Sequence, residues 1–201
     1  MAVKDKPGAT RAAARIPIRS FKDAKAWESW LAKNQGDTNG VWIRLAKKNS
    51  GAKSITYAEA LEIALCYGWI DAQKRGESET AWLQRFMPRA KKSIWSKINT
   101  EKALALIASG RMTPAGLDEV VRAKQDGRWE AAYEPPSTAQ VPADFEALLN
   151  KSRRAQKFFR TISATNRYAI LWRLQTAKKA ETRVKRMRTF IEMLEKGETI
   201  H

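Results

Sequence analysis

Residues 54–99 constrain the fold of this chain more than any other stretch, because helix and strand signals follow one another there without a gap. Thr56 and Glu59 have the spacing of a capping box, which predicts that a helix begins near Tyr57. Gly68 is suited to end that helix, since glycine adopts a left-handed conformation that other residues resist. A helix bounded by Thr56 and Gly68 is therefore expected.

Two extended segments follow this helix. The first begins at Trp69 and is expected to close at Asp71, and the second spans Ala81 to Met87. Pro88 is expected to stop the second strand, because proline lacks the N–H group that a central strand needs. The loop KRGESE between them is short and polar, as in a hairpin. We therefore expect an α+β fold in which a small antiparallel sheet packs with helices and a C-terminal helical module follows.

Turn and linker signals divide the chain into four parts. Residues 1–17 are rich in Ala, Arg and Lys and are expected to form a disordered basic leader. Residues 18–133 form the predicted α+β module, in which Val41 to Ala46 is a further strand. The proline-rich segment 134–141 is the predicted linker, and residues 142–201 form the predicted helical module.

Apolar spacing predicts which helix positions are buried. Leu104, Ile107 and Ala108 are expected on the buried side of the helix that ends at Gly110. Leu117, Val120 and Val121 are the apolar residues that continue the next helix, and Val184 belongs to the apolar stripe of the last one.

Several separated motifs resemble one protein family. They are GWIDAQ, RFMPR, SIWSKIN and GRMTPAG, followed near the C-terminus by TAKKAETRVKRM and LEKGE. In this order they resemble the YdeI/OmpD-associated family, also called bacteriocin-protection proteins, over residues 20 to 198. The resemblance implies a setting of stress or bacteriocin resistance and supplies no catalytic residues. It also implies that the N-terminal part is similar to YjbR/CyaY-like α+β domains, a group that includes suspected DNA binders.

Charge is the strongest compositional signal. The chain has 38 Lys and Arg against 21 Asp and Glu, a formal net charge of +17, and residues 151–201 alone hold 14 basic and four acidic residues. Such an excess favours an anionic partner, which could be DNA, RNA or an acidic protein surface, although a soluble basic protein without such a ligand has the same composition. The candidate anion-binding residues are Lys47, Lys48, Lys91, Lys92, Arg111, Lys178, Lys179, Arg183 and Arg186.

The residues that many enzymes require are scarce. Cys66 is the single cysteine and His201 the single histidine, so neither a disulfide nor a cysteine-based zinc site can form, and no internal catalytic pair with histidine is available. The sequence thus favours a non-catalytic protein without a cofactor or metal, in which Cys66 is a small packed residue. No signal peptide or membrane span is apparent, so a cytoplasmic location is expected.

One cluster leaves a second function open. A carboxylate facing a guanidinium beside indole rings could bind a planar polar ligand, which would make this protein a small-ligand binder or an enzyme. The same residues could equally form a structural Asp71–Arg85 pair among core tryptophans. The members of the cluster are Trp69, Asp71, Arg85, Arg89 and Trp95.

Overall fold

The structure is a computed structural model that describes residues 16–201. Residues 1–15 of the predicted leader therefore lie outside the described part. Contacts divide the chain into two compact units, each of which is discontinuous in sequence. The first unit contains the residues up to Lys91 together with Gly110–Glu119, and the second contains Lys92–Ser109 together with Val120–His201. The predicted domain limits at residues 18–133 and 142–201 stay a prediction, because compact units need not coincide with folding domains.

The first unit is built on a four-stranded sheet. Its elements are β1 (Ile18–Ser20), α1 (Ala24–Lys33), β2 (Val41–Ala46), α2 (Tyr57–Cys66), β3 (Trp69–Gly76), β4 (Ala81–Pro88) and the first half of α4 (Pro114–Gln125). The strand order is β1-β2-β4-β3, with β1 parallel to β2 and the other neighbours antiparallel. The predicted α+β fold is confirmed, and the parallel edge strand is a feature that hairpin signals could not indicate.

Local signals set the helix ends of this unit. The side chain of Asp23 accepts a hydrogen bond from the Ala26 N–H at 2.8 Å, so it caps α1. Thr56 and Glu59 form a reciprocal capping box at the start of α2. Gly68 follows α2 with a φ of +72°, so the left-handed turn after the helix requires glycine.

One face of the sheet carries the core of the first unit. Val41 and Phe86 are opposite each other in the register and are completely buried. Phe86 packs against Trp27 of α1, whose ring lies 5.7 Å from that of Phe86 and 6.3 Å from that of Trp69. Trp27 also donates its indole N–H to the Ala60 carbonyl of α2 at 3.0 Å, so α1 and α2 both belong to the layer on this face.

The hairpin is longer than the sequence predicted. β3 continues beyond Asp71 to Gly76, through residues that were expected to form the loop, and β4 includes Pro88. Proline is tolerated there because it is the last residue of the strand, opposite Trp69. The turn is correspondingly shorter than KRGESE.

The described part of the second unit is helical. Its elements are α3 (Lys97–Ala108), the second half of α4, α5 (Ala143–Lys151), α6 (Arg153–Thr161), α7 (Ala164–Gln175) and α8 (Ala180–Lys196). Phe145, Ile170 and Leu174 are completely buried, and Phe190 and Leu194 of α8 pack into the same core. The helices predicted from residue 142 onward thus share one apolar interior.

The predictions for Leu104, Ala108 and Val184 are wrong, since all three are exposed, as are Leu117 and Val121. Leu104, Leu117, Val121 and Val184 are exposed by 49%, 38%, 50% and 42%. In α3 the buried positions are Thr100, Ala103 and Leu106 instead. Apolar residues occupy neighbouring positions around these helices, so the 3.6-residue period alone admits two faces, and packing selects one of them.

Candidate functional site

The second face of the sheet carries positive charge. Side chains alternate along a strand, so Trp42 and Arg44 of β2 point away from the face that buries Val41. The register places Trp42 opposite Arg85 of β4 and Arg44 opposite Leu83. Two arginines and an indole therefore lie together on the side that faces away from α1 and α2.

A β-bulge adds a third arginine to this face. Asp71 pairs with Phe86 and Lys74 with Gln84, so β3 uses one more residue than β4 over the same interval. A bulge reverses the alternation of the side chains that follow it. Arg75 consequently lies opposite Leu83, on the side of Trp42, whereas Asp71 lies on the side of Phe86.

The side chains on this face are held by direct contacts. The guanidinium carbon of Arg75 lies 4.6 Å from the ring centre of Trp42, a cation–π arrangement. Arg85 donates from Nη1 to Oε1 of Gln73 at 3.1 Å and from Nη2 to the Asn39 carbonyl at 3.0 Å. The arginine face is defined here as Trp42, Arg44, Gln73, Arg75 and Arg85.

One carboxylate partly balances the arginine face. Arg44 donates from Nε and Nη2 to the two carboxylate oxygens of Glu77, each at 2.6 Å. These hydrogen bonds lower the pKa of Glu77 below its ordinary value, and the charge of Arg75 acts in the same direction. Three guanidinium groups against one ionised carboxylate leave the face with a local positive excess.

Further basic residues lie at the same end of the sheet. A hollow of about 380 Å³ is lined by Lys74, Arg75, Gly76 and Trp82. The Lys47 N–H donates to the Thr80 carbonyl at 2.8 Å, so the exposed turn that holds Lys47 and Lys48 lies beside the β3–β4 turn. Two of the predicted anion-binding residues are thus close to the hollow.

The predicted Asp71–Arg85 pair does not form. Asp71 instead accepts a hydrogen bond from the Tyr57 hydroxyl at 2.9 Å, on the opposite face from Arg85. Trp69 is 1% exposed, and its ring stands at 87° to that of Trp30, so it is a core residue. The small-ligand cluster predicted from sequence is therefore divided between the two faces of the sheet.

The last two members of that cluster are buried. The backbone N–H of Arg89 donates to the Gly68 carbonyl at 3.0 Å, and only 5% of the residue is exposed. Trp95 belongs to the second unit, where its ring lies 5.0 Å from that of Trp129. Both indoles, Trp69 and Trp95, thus have the packing role that the sequence left open as an alternative.

The other predicted anion-binding residues fall into two groups. Those with exposed side chains are Lys91, Lys92, Lys178 and Lys179. The other three have carboxylate or carbonyl partners. Nη1 of Arg111 lies 3.3 Å from a carboxylate oxygen of Glu62, and Arg183 donates two hydrogen bonds to the carboxylate of Asp144. Arg186 donates a hydrogen bond to the Arg173 carbonyl. Arg183 also donates to the Leu174 carbonyl at 2.7 Å, so it connects α8 to α5 and α7.

Sequence reasoning missed Trp42, Arg44 and Arg75 as site residues. A signal for the first two was present, because they alternate with Val41, Ile43 and Leu45, which are buried in the predicted strand. Arg75 carried no such signal, since it was placed in the loop of the hairpin and its orientation depends on the bulge.

Three other features bear on chemistry. Burial raises the pKa of the Cys66 thiol, and the carboxylates of Glu28 and Glu62 add to this effect while Arg111 opposes it. Within residues 16–201, no group of three or more His, Cys, Asp or Glu side chains is arranged to hold a metal ion. The helices of the same residues include none that is long and apolar enough to cross a membrane.

Two family models match separate parts of the chain. Residues 138–197 match the family described as Bacteriocin-protection, YdeI or OmpD-Associated, which confirms the predicted resemblance for the C-terminal helices. Residues 19–119 match the family described as Domain of unknown function (DUF8412), and the similarity of this part to YjbR/CyaY-like domains stays a prediction. No curated protein and no solved structure shows a significant match. Because residues 19–119 are just over half of the chain, this protein belongs to the DUF8412 family.

Proposed function

We propose that this protein is a non-catalytic binding protein for an anionic partner, and that the partner of its arginine face is single-stranded nucleic acid. The observation that carries the proposal is the arrangement of Arg44, Arg75 and Arg85 around Trp42 on one sheet face, with Glu77 as the carboxylate that offsets them. Guanidinium groups match phosphate oxygens in geometry and charge.

The indole ring of Trp42 within the arginine face favours a nucleic acid over a smooth acidic surface. Trp42 lies beside Arg75 and opposite Arg85, so an aromatic ring and two cations are within reach of one nucleotide. Proteins that bind single strands without strong sequence preference combine these two features, because every base can stack on a ring while the phosphates follow a basic surface. Lys47 and Lys48 extend the basic surface beyond this end of the sheet.

The setting proposed for this activity is the protective role that the description of the C-terminal family names. Direct capture of a cationic bacteriocin is disfavoured, because a chain with a net charge of +17 repels a cationic peptide. We propose that protection acts instead through the anionic partner.

The test is a fluorescence-anisotropy titration of the full chain with a labelled single strand of about 12 nucleotides, repeated at several salt concentrations. Three phosphate contacts predict a slope of about −2 for log affinity against log salt. Arg75→Gln should weaken binding and reduce the slope by about 0.7, the effect of one contact. The matched control is Lys25→Gln, which removes the same charge from the exposed surface of α1, the helix that covers the opposite face.

A second variant separates stacking from charge. Trp42→Leu should lower affinity by about 1–3 kcal/mol and leave the salt slope unchanged, provided that circular dichroism shows an intact fold. Absence of binding at about 50 mM salt would remove the proposal. If polyglutamate displaced the labelled nucleic acid as well as an unlabelled single strand does, the partner of the arginine face would be an acidic protein. If Arg75→Gln and Lys25→Gln weakened binding equally, the binding would be general charge attraction and not a property of the arginine face.

A further inference from the structure

A separate hollow lies in the second unit, where the loop after α4 meets the end of α7. Its volume is about 320 Å³, which is at the lower limit of pockets that bind small molecules. Ile94, Ala131 and Ala177 give it apolar walls, and its charged residues are Asp126, Arg128 and Lys178. None of the residues of the arginine face lines this hollow.

Arg128 is the unusual residue of the hollow. Its side chain is 7% exposed, its Nε donates to both carboxylate oxygens of Asp126 at 2.8 Å, and its Nη1 donates to the Ser93 carbonyl at 2.7 Å. Its Nη2 is also buried and has no hydrogen-bond partner among the described residues. Buried N–H groups are nearly always paired with an acceptor, so this donor indicates an acceptor from beyond the described residues.

The net charge of the residues that line the hollow indicates that its ligand carries one negative charge. Arg128 and Lys178 contribute two positive charges and Asp126 one negative charge, so a single negative charge completes the balance. Lys178 is exposed, whereas Arg128 is buried, which gives the hollow a cation at the surface and another in its wall. Buried charges are stable in proteins only when they are paired and hydrogen-bonded.

We propose that this hollow binds a small organic monocarboxylate. The carboxylate accepts hydrogen bonds from Nη2 of Arg128 and from Nζ of Lys178, and the apolar part of the ligand packs against Ile94, Ala131 and Ala177. Because Nη2 is buried, binding includes a local adjustment of the Arg128 side chain that retains its bonds to Asp126. An inorganic phosphate fits less well, since it would bring more negative charge than the site balances and would leave the apolar walls uncovered.

The probe for this proposal is benzoate, and benzamide is the control that keeps its shape without its charge. Calorimetry on the full chain should show saturable binding of benzoate with a Kd on the order of 1 mM, a value that a ligand of this size can reach. Benzamide should bind at least about tenfold more weakly, because it cannot form charge-assisted hydrogen bonds with both cations.

Three variants locate the site. Lys178→Gln should weaken benzoate binding about tenfold, the effect of one charge-assisted hydrogen bond, while the adjacent Lys179→Gln, which does not line the hollow, should leave it unchanged. Ala131→Leu adds volume to an apolar wall and should abolish binding without removing a charge. These variants avoid Arg128, whose replacement would also leave the carboxylate of Asp126 without its partner.

Several outcomes would overturn the proposal. They are the absence of benzoate binding at about 10 mM, equal affinities for benzoate and benzamide, equal effects of the two lysine variants, and displacement of benzoate by inorganic phosphate at equal concentration. The last result would indicate a general anion site and refute the assignment to a monocarboxylate.

Discussion

Gly116 is the position at which α4 comes closest to the end of α2. A Cβ atom there would lie 2.3 Å from the Cys66 carbonyl oxygen, 2.4 Å from Sδ of Met112 and 2.8 Å from the Leu65 carbonyl oxygen. Two of these three atoms are backbone atoms, which cannot rotate aside as the end of a flexible side chain can. Gly116→Ala should therefore force the start of α4 away from α2.

The displacement would also disturb a hydrogen-bonded contact. The Thr113 N–H and hydroxyl both donate to the Cys66 carbonyl, at 3.2 and 2.6 Å, and this is the oxygen that the new methyl group would meet. Removing the overlap requires a shift of about 1 Å, and overpacking of this kind costs about 1–3 kcal/mol. The upper part of that range applies here because backbone has to move.

A gain in helix propensity opposes this loss. Alanine is favoured over glycine inside a helix by about 1 kcal/mol, so the expected net loss for Gly116→Ala is about 2 kcal/mol. For a chain of this size, the melting temperature should fall by about 4–8 °C. The sign of the measured change thus tests the packing directly, since propensity alone predicts a rise.

The assay is differential scanning calorimetry of the parent and the variant, with urea unfolding as a second measure. Gly36→Ala is the matched control, because a Cβ atom at Gly36 would meet nothing within 4 Å. This control should change the free energy of unfolding by no more than about 0.5 kcal/mol. A Gly116→Ala variant as stable as the parent would show that α4 does not approach the end of α2 so closely.

Two further predictions concern ionisable groups. Hydrogen bonds from Arg183 lower the pKa of Asp144, so the pair should add stability above the unfolded-state pKa of about 4 and lose it as pH falls through the lower folded-state pKa. Asp144→Asn should accordingly lower the free energy of unfolding, measured in urea, by about 0.5–1 kcal/mol at pH 7 and by markedly less in strong acid. An equal loss at both pH values would show that the Asp144–Arg183 pair is not the source of this stability. Cys66 is buried with a raised thiol pKa, so it should react with a disulfide reagent much more slowly in the native than in the urea-unfolded protein, and similar rates would refute its burial.

The sequence predicted this fold well where a residue acts on its own neighbours. The capping box at Thr56 and the left-handed glycine at Gly68 are short-range effects, and each is found where the sequence placed it. Strand β2 was equally accessible, because its burial alternates with period two. These signals depend on a few consecutive residues, so they can be recognised without knowing which distant residues pack against them.

Predictions failed where a long-range choice decides the outcome. Leu104 and Leu106 are both apolar, and only the packing of α3 determines that Leu106 is buried and Leu104 exposed. Asp71 and Arg85 were considered as a pair on neighbouring strands, but whether they lie on the same face depends on the register, which places them on opposite faces. A shift of one residue moves a side chain to the opposite face of a sheet.

The bulge in β3 connects a buried polar residue to the candidate site. Gln84 is 3% exposed on the core face of β4, and its amide donates to the carbonyls of Gln73 and Arg85, at 3.1 and 3.2 Å. A bulge interrupts the ladder and leaves backbone groups to be satisfied by other means, and a side-chain amide offers two donors for this purpose. Gln84 is thus a polar core residue with a structural cause, since it stabilises the irregularity that turns Arg75 toward Trp42. The positive face of the sheet consequently depends on a residue of its interior, which explains why charge and spacing along the sequence could not locate it.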